Sequence, residues 1–249
     1  MCLIVVGWRV HPDYPLLVAA NRDEFYERPT ALAGCWPDAP EIIAGRDLEA
    51  GGTWLGITRS GRFAAVTNVR EPGATPGIHS RGRLTRDFLA GHQHAADYVR
   101  QLPFADYSGF NLLAGDGNAL WYCSNRAAPP VALAPGVYGL SNHLLDSPWP
   151  KLLTARQRFA AALPDVPERA SLFEILADDE IVPDDELPAT GVPLEWERRL
   201  SAIFIHSENY GTRASTVVLQ AADGAITFEE RSFGPQGKPL QSSLISTGV

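Results

Sequence analysis

The chain has 249 residues, of which 45% are hydrophobic and 20% are charged, a composition typical of a globular protein with a sizeable core. Its 29 acidic and 21 basic residues give a net charge of −8, and the basic residues are scattered along the chain. Nucleic acids and anionic membranes attract clustered positive charge, so the composition argues against both as partners.

Three cysteines without CxxC spacing argue against a disulfide framework and a structural zinc site. The amino terminus lacks the basic start and long apolar stretch of a secretory signal, and no segment approaches the roughly 20 apolar residues that span a bilayer. Metal-binding HExxH spacing, nucleotide-binding glycine motifs and a GxSxG elbow are missing. We therefore expect a cytoplasmic protein with no membrane span, no metal and no resident cofactor.

The first 70 residues predict β-structure. Residues 3–10 and 16–20 are apolar runs separated by a turn that contains Pro12 and Pro15, which predicts a hairpin that begins at the second residue of the chain. Two further strands are expected at 53–58 and 63–68, joined by a tight turn.

The spacing of apolar residues becomes helical after residue 81 and indicates one or two helices between residues 81 and 102. Strands are then expected at 110–114, 120–124 and 137–141. An amphipathic helix is predicted at 149–163, with Pro150 in its first turn, and a second helical segment at 172–177.

The acidic, proline-bearing segment 178–192 is typical of a surface loop, and it is followed by predicted strands at 202–206, 212–219 and 226–233. No repeat or linker divides the chain. We therefore predict a single α+β domain over residues 1–249, with central antiparallel sheets and helices on their outer faces.

Cys2 is the first candidate for chemistry. Methionine is trimmed before a small residue, so the mature chain would begin with a thiol beside a free α-amine. Such an amine titrates near ~7.7–8.0, which lets one terminal residue supply both nucleophile and base. The alternative is that Cys2 is a small hydrophobic residue that opens a strand.

The second candidate is the polar run of residues 21–24, at the end of the second predicted strand. In a hairpin this end lies beside the start of the first strand, which places Arg22 or Asp23 near Cys2. The arginine would stabilise a thiolate and the carboxylate would orient the terminal ammonium. The alternative is a polar turn with a solvated acidic patch.

Two later residues complete the candidate set. Asn142 follows a predicted strand and could donate to an oxyanion, although a turn-forming asparagine fits the same position. Arg213 begins a late strand and could bind a carboxylate or phosphate, or form a surface ion pair. Cys35 and Cys123 are interpreted as structural, with Cys35 a competing thiol if it is exposed.

With these residues in place, the chain resembles the NRDE family, also called the transport and Golgi organisation family. The resemblance extends over nearly the whole chain. Its matching segments are, in order, 19–26 (AANRDEFY), 51–57 (GGTWLGI), 65–68 (AVTN), 80–82 (SRG), 109–113 (GFNLL), 138–142 (YGLSN), 147–149 (SPW) and 210–213 (YGTR).

The family looks like a branch of the amino-terminal nucleophile (Ntn) hydrolases, which implies a four-layer αββα sandwich with two antiparallel sheets between helical layers. Related penicillin V and bile-salt hydrolases imply the catalytic set Cys2, Arg22, Asp23, Asn142 and Arg213. One departure is that those enzymes space the first arginine and aspartate three residues apart, whereas Arg22 and Asp23 are adjacent.

Two functions follow from the residues and the resemblance. The first is a cysteine amidohydrolase that cleaves a non-peptide amide of a small molecule with an apolar body and an acidic head. The second is a non-catalytic binding or trafficking protein, because eukaryotic relatives are associated with haem mobilisation and with lipid or acyl-CoA homeostasis. In that case haem would be cargo, ligated by Cys2 or His143.

Overall fold

A computed structural model describes residues 2–248 of the chain. The strands in this range are β1 (Cys2–Trp8), β2 (Leu16–Phe25), β3 (Thr30–Trp36), β4 (Ala39–Asp47), β5 (Leu55–Thr58), β6 (Phe63–Asn68), β7 (Phe110–Gly115), β8 (Leu120–Ser124), β9 (Val131–Ala132), β10 (Gly136–Leu140), β11 (Tyr210–Gln220), β12 (Ile226–Phe233) and β13 (Pro239–Thr247). The α-helices are α1 (Gly82–Ala90), α2 (Ala95–Gln101), α3 (Pro150–Ala162), α4 (Ala170–Leu176) and α5 (Leu194–Ser201).

The strands form two antiparallel sheets. Sheet A has six strands in the order β10-β1-β2-β11-β12-β13, and sheet B has seven in the order β3-β4-β5-β6-β7-β8-β9. The β1–β2 hairpin lies inside sheet A, so the first strand of the chain is flanked on both sides. This position explains why every residue of β1 is buried.

Alternation along the strands divides the core into three layers of side chains. In β1, Ile4 and Val6 face sheet B and join the core between the sheets, whereas Leu3 and Val5 face the opposite side and pack with α3 and α4. The outer face of sheet B packs against α1 and α2 through Leu84 and other residues. The layers therefore run helix, sheet, sheet, helix, which confirms the α+β sandwich.

The predicted strands in the first half and both helical regions are confirmed with shifts of a few residues at their ends. The local sequence pattern did not predict five elements, namely β3, β4, β9, α5 and β13. Residues 30–47 carry Gly34 and Gly45 and pair with two register shifts, so they show no clean alternation. The edge strand β13 is largely exposed and is held by pairing with β12 rather than by burial.

The strand predicted at 202–206 is wrong, because this segment is irregular backbone, and its Ile203 packs on the helix side of sheet A. Side chains satisfy much of its hydrogen bonding: the Ile203 carbonyl accepts from Asn21 Nδ2 at 2.9 Å, and the Ile205 amide donates to Thr212 Oγ1 at 2.9 Å. Its buried apolar residues resemble a strand pattern, but its backbone contact with β11, where the Thr212 amide donates to the Ile205 carbonyl at 2.6 Å, does not continue as a ladder. None of the helices within residues 2–248 has the length and apolar character to cross a membrane.

Candidate active site

A cavity of about 660 Å³ lies between the two sheets at the end where β1 begins and β2 ends. Its wall combines an apolar part with charged and polar side chains from both sheets and from the start of α1. The apolar part is Leu32, Trp54, Val66, Phe233 and Leu240. The polar part includes Cys2, Arg22, Asp23, Glu24, Thr67, Asn68, Ser80, Arg81, Arg213 and Glu230.

Cys2 is the first residue of β1 and lines this cavity. It pairs directly with Arg22 of β2, and directly paired residues of neighbouring strands have side chains on the same face of the sheet. The Cys2 carbonyl accepts a hydrogen bond from Ser141 Oγ at 3.0 Å, which ties the start of β1 to the end of β10. The predicted proximity of Cys2 and Arg22 is thus present.

Burial raises the pKa of the Cys2 thiol to about 11. The negative charge of Asp23 acts in the same direction, whereas the Arg22 guanidinium opposes it. A neutral thiol therefore predominates at neutral pH in this environment. A nucleophile here needs an adjacent base to take its proton.

Strand alternation separates Arg22 from Asp23. Arg22 lies on the face towards sheet B, is 7% exposed, and its nearest carboxylate is Glu24 at 3.7 Å. The Asp23 carboxylate lies on the helix side, where its Oδ1 accepts from Thr212 Oγ1 at 2.8 Å and the charge of Lys151 acts on it. Burial raises the pKa of Asp23, and the lysine charge opposes this shift.

Asn142 is fully buried, and it is not one of the residues that line the cavity in the described part of the chain. Its Nδ2 donates to the Asn68 carbonyl at 3.1 Å and to Asn68 Oδ1 at 2.9 Å, so the amide that the sequence analysis assigned to an oxyanion is directed at another asparagine. Asn68, at the end of β6, does line the cavity. The two residues form one hydrogen-bonded unit between the sheets.

Arg213 lies at the β-bulge of β11 and lines the cavity. Its Nη1 donates to the carbonyls of Phe25, Tyr26 and Arg28 at 3.0, 3.1 and 2.8 Å. This guanidinium therefore clamps the connection between β2 and β3. Neither alternative of the sequence analysis, an anion site or a surface ion pair, anticipates that contact.

Four site residues carry no role in the sequence analysis, namely Asn68, Arg81, Lys151 and Glu230. Asn68 and Arg81 fall in matching segments of the family resemblance, which was the available signal. Lys151, in the first turn of α3, is 5% exposed and donates to the Leu200 carbonyl at 2.8 Å. Burial lowers the pKa of Lys151 to about 8.

The other cysteines and His143 lie apart from the cavity lining. Cys35 is exposed on β3 with Arg59 Nη2 3.4 Å from its sulfur, and burial raises the pKa of Cys123 to about 12. His143 Nδ1 lies 2.7 Å from Ser147 Oγ. Within residues 2–248 no three His, Cys, Asp or Glu side chains gather to hold a metal ion.

Two antiparallel sheets between helical layers, with the second residue of the chain opening a central strand in the cavity, form an Ntn-hydrolase-like αββα sandwich. A solved structure described as the Caenorhabditis elegans N-acylethanolamine-hydrolyzing acid amidase (NAAA) ortholog shares this fold. It has a TM-score of 0.51 and 14% identity, and the match covers 88% of this chain and 92% of that one.

The chain belongs to the Transport and Golgi organisation 2 family, whose sequence model matches residues 1–235. The Transport and Golgi organization protein 2 homolog of Bos taurus is 40% identical over 259 residues, covering 94% of this chain and 93% of that protein. The Homo sapiens homolog is 38% identical over 257 residues, with the same coverage.

Proposed function

We propose that the chain is a cysteine amidohydrolase that cleaves a non-peptide amide, with Cys2 as nucleophile after removal of Met1. The observation that carries the proposal is the placement of Cys2, which opens a central strand inside the cavity directly opposite Arg22. A cysteine that only fills the core would not account for the polar cavity or for the buried arginine beside Cys2.

In the proposed reaction, the neutral α-amine of Cys2 takes the thiol proton and the sulfur attacks the amide carbonyl carbon. The resulting ammonium returns that proton to the leaving nitrogen as the C–N bond breaks, which leaves a thioester. Water then attacks the thioester carbonyl, the amine again takes a proton, and the thiol is restored as the carboxylic acid leaves.

The surrounding residues divide the remaining tasks. Arg22 stabilises the sulfur as it becomes negative. Asp23, whose carboxylate form burial disfavours and the Lys151 charge favours, orients the terminal ammonium. Asn68 faces the cavity and is suited to donate to the oxyanion, while Asn142 holds it in place. Asn142 is in this proposal a positioning residue.

The substrate in this proposal is a small molecule with an apolar body and an acidic head. Leu32, Trp54 and Leu240 supply apolar wall, and arginines supply positive charge. The reaction requires a free terminal thiol, which suits the reducing cytoplasm that the sequence predicts.

The test combines intact-protein mass with an amide panel. We expect purified protein to lack Met1 and to release amine from at least one of an N-acyl amino acid and a bile-acid conjugate, both of which carry an acidic group. Cys2→Ala should abolish release, whereas Cys35→Ala, which removes the exposed thiol, should retain it. A retained Met1, or release that survives Cys2→Ala, would refute the mechanism.

A second candidate function is ligand binding without turnover. The observation that favours it is the pKa of about 11 of the Cys2 thiol, which keeps the sulfur protonated inside an otherwise suitable cavity. His143 lies outside the cavity lining, so of the two residues Cys2 is the one that could ligate haem iron in the cavity, with loss of its thiol proton on coordination. Saturable binding of haemin or an acyl-CoA that weakens in Cys2→Ala would support this function, and no binding of either would exclude it.

A further inference from the structure

The arginines of the cavity wall differ in whether a carboxylate of the protein already pairs with them. Arg28 and Arg46 already pair with carboxylates: Arg28 Nε lies 2.8 Å from Asp47 Oδ2, and Arg46 makes two hydrogen bonds to Asp38 at 2.6 and 2.8 Å. Their charges are compensated within the protein. They therefore have little capacity left for a ligand.

Arg22 and Arg81, by contrast, each have a guanidinium nitrogen that lacks an acceptor within the described part of the chain. Arg22 Nη1 and Arg81 Nε are buried atoms with no hydrogen-bond partner among residues 2–248. Arg22 is 93% buried, and its closest carboxylate oxygen, on Glu24, is 3.7 Å away. A buried guanidinium edge without an acceptor is costly unless a ligand or solvent satisfies it.

Close backbone packing brings Arg81 to this place. It immediately precedes α1, whose first residue, Gly82, packs against Gly52 so tightly that a Cβ on Gly52 would lie 2.5 Å from the Gly82 carbonyl carbon. The Thr53 amide also donates to the Gly82 carbonyl at 3.2 Å. These contacts fix the start of the helix over the cavity. A thiolate at Cys2 would act on Arg81 more strongly than the carboxylates of Glu24 and Glu71 do.

We propose, building on the hydrolase function above, that Arg81 and the free edge of Arg22 form a carboxylate-binding subsite beside Cys2. This subsite selects substrates that carry a carboxylate close to the scissile amide. Arg81, rather than Arg213, is its specificity-determining residue, because Arg213 Nη1 already donates to three carbonyls.

A singly charged ligand group fits this subsite better than a phosphate dianion. Glu24 acts on both arginines, and the buried carboxyl of Glu230 acts on Arg22. These acidic groups offset part of the positive charge and repel a second negative charge on the ligand. A carboxylate can also accept two parallel hydrogen bonds from guanidinium groups.

The test uses two alkylating reagents of nearly equal size. Iodoacetate carries a carboxylate next to its reactive carbon and iodoacetamide carries a neutral amide, and the Cys2 sulfur displaces iodide from both. The measurement is the rate of Cys2 alkylation by iodoacetate divided by the rate with iodoacetamide. Peptide mass spectrometry follows both reactions. In Arg81→Gln this ratio should fall by roughly 10-fold or more, the discrimination that a hydrogen bond to a charged group provides.

Four further measurements accompany this variant. Cys35 in the same samples should show an unchanged ratio, because it lies outside the cavity lining. Arg46→Gln removes a cavity arginine that is already paired with Asp38 and should leave the Cys2 ratio unchanged. Arg81→Lys keeps the charge and should give a larger ratio than Arg81→Gln. Added salt should lower the ratio in the wild type.

Equal ratios in the wild type and Arg81→Gln, or no alkylation of Cys2 by either reagent, would overturn the subsite. The outcome is independent of turnover, because alkylation uses no amide substrate and, in alkaline buffer, hydroxide can take the thiol proton in place of the α-amine. A protein that shows the Arg81-dependent ratio but cleaves no amide would retain the subsite and refute the hydrolase. The reverse result would refute the subsite alone.

Discussion

Asn142→Ala removes the amide that connects the ends of β10 and β6. Asn142 is fully buried, and its Nδ2 donates at 3.1 and 2.9 Å to the two oxygens of Asn68. Each lost hydrogen bond costs about 0.5–1.5 kcal/mol, and both Asn68 oxygens are left without this donor, so the free energy of unfolding should fall by about 2–3 kcal/mol. For a protein of this size that corresponds to a drop in Tm of roughly 5–10 °C.

Asn142→Asp sharpens this prediction. It keeps the size of the side chain but directs a carboxylate oxygen at the two Asn68 oxygens, so it should destabilise at least as much as alanine. The assay is urea unfolding followed by tryptophan fluorescence, with the exposed turn variant Asn118→Ala, expected to change stability by under about 0.5 kcal/mol, as control. A loss under about 0.5 kcal/mol in both Asn142 variants would refute the bracing role.

Three further predictions concern stability and order. Lys151 has a pKa of about 8 in the fold against an ordinary 10.5, so between these pH values the unfolded chain binds a proton that the folded chain has released, and stability rises with pH. Relative to Lys151→Met, the unfolding free energy should therefore increase by up to about 3 kcal/mol from pH 8 to 10.5. Arg213→Gln should accelerate hydrogen–deuterium exchange in residues 25–29, because the three clamped carbonyls lose their donor. Phe159→Ala, in the core between sheet A and α3, should cost about 3–5 kcal/mol.

For each of these three predictions, a specific result would contradict it. A constant difference between wild type and Lys151→Met across that pH range would show that the buried amine does not titrate there. Unchanged exchange in residues 25–29 would show that Arg213 does not hold the turn. Leu153, 48% exposed on the same helix as Phe159, provides the matched alanine control, and equal losses at both positions would contradict the layer assignment.

The proximity of Cys2 to Arg22 was predictable because it depends on a local feature. A short proline-bearing turn joins two apolar runs, and a hairpin then sets the end of one strand beside the start of the other. The observed pairing of Cys2 with Arg22 confirms this inference. The helical layers were likewise readable from apolar spacing, since α1 and α3 each bury one face.

The sequence pattern failed where burial and hydrogen bonding come from distant parts of the chain. Residues 202–206 have the apolar character of a strand, but Asn21 and Thr212 satisfy their backbone. Strand β3 is irregular in sequence and is held partly from sheet A, where Glu230 Oε1 accepts from the Ala33 amide at 2.7 Å. Hydrogen bonds between distant residues do not affect the spacing of apolar residues in the local sequence, so that spacing cannot predict them.

By itself, then, the sequence determined the family, the sandwich and the position of Cys2 beside Arg22. Only the tertiary structure decided which other residues reach the cavity. Asn142 is directed at Asn68, Arg213 at backbone carbonyls, and Arg81 reaches the cavity because two glycines let α1 approach sheet B. The physical reason is that hairpin geometry follows from neighbouring residues, whereas the partner of a buried polar group depends on which distant segment packs against it.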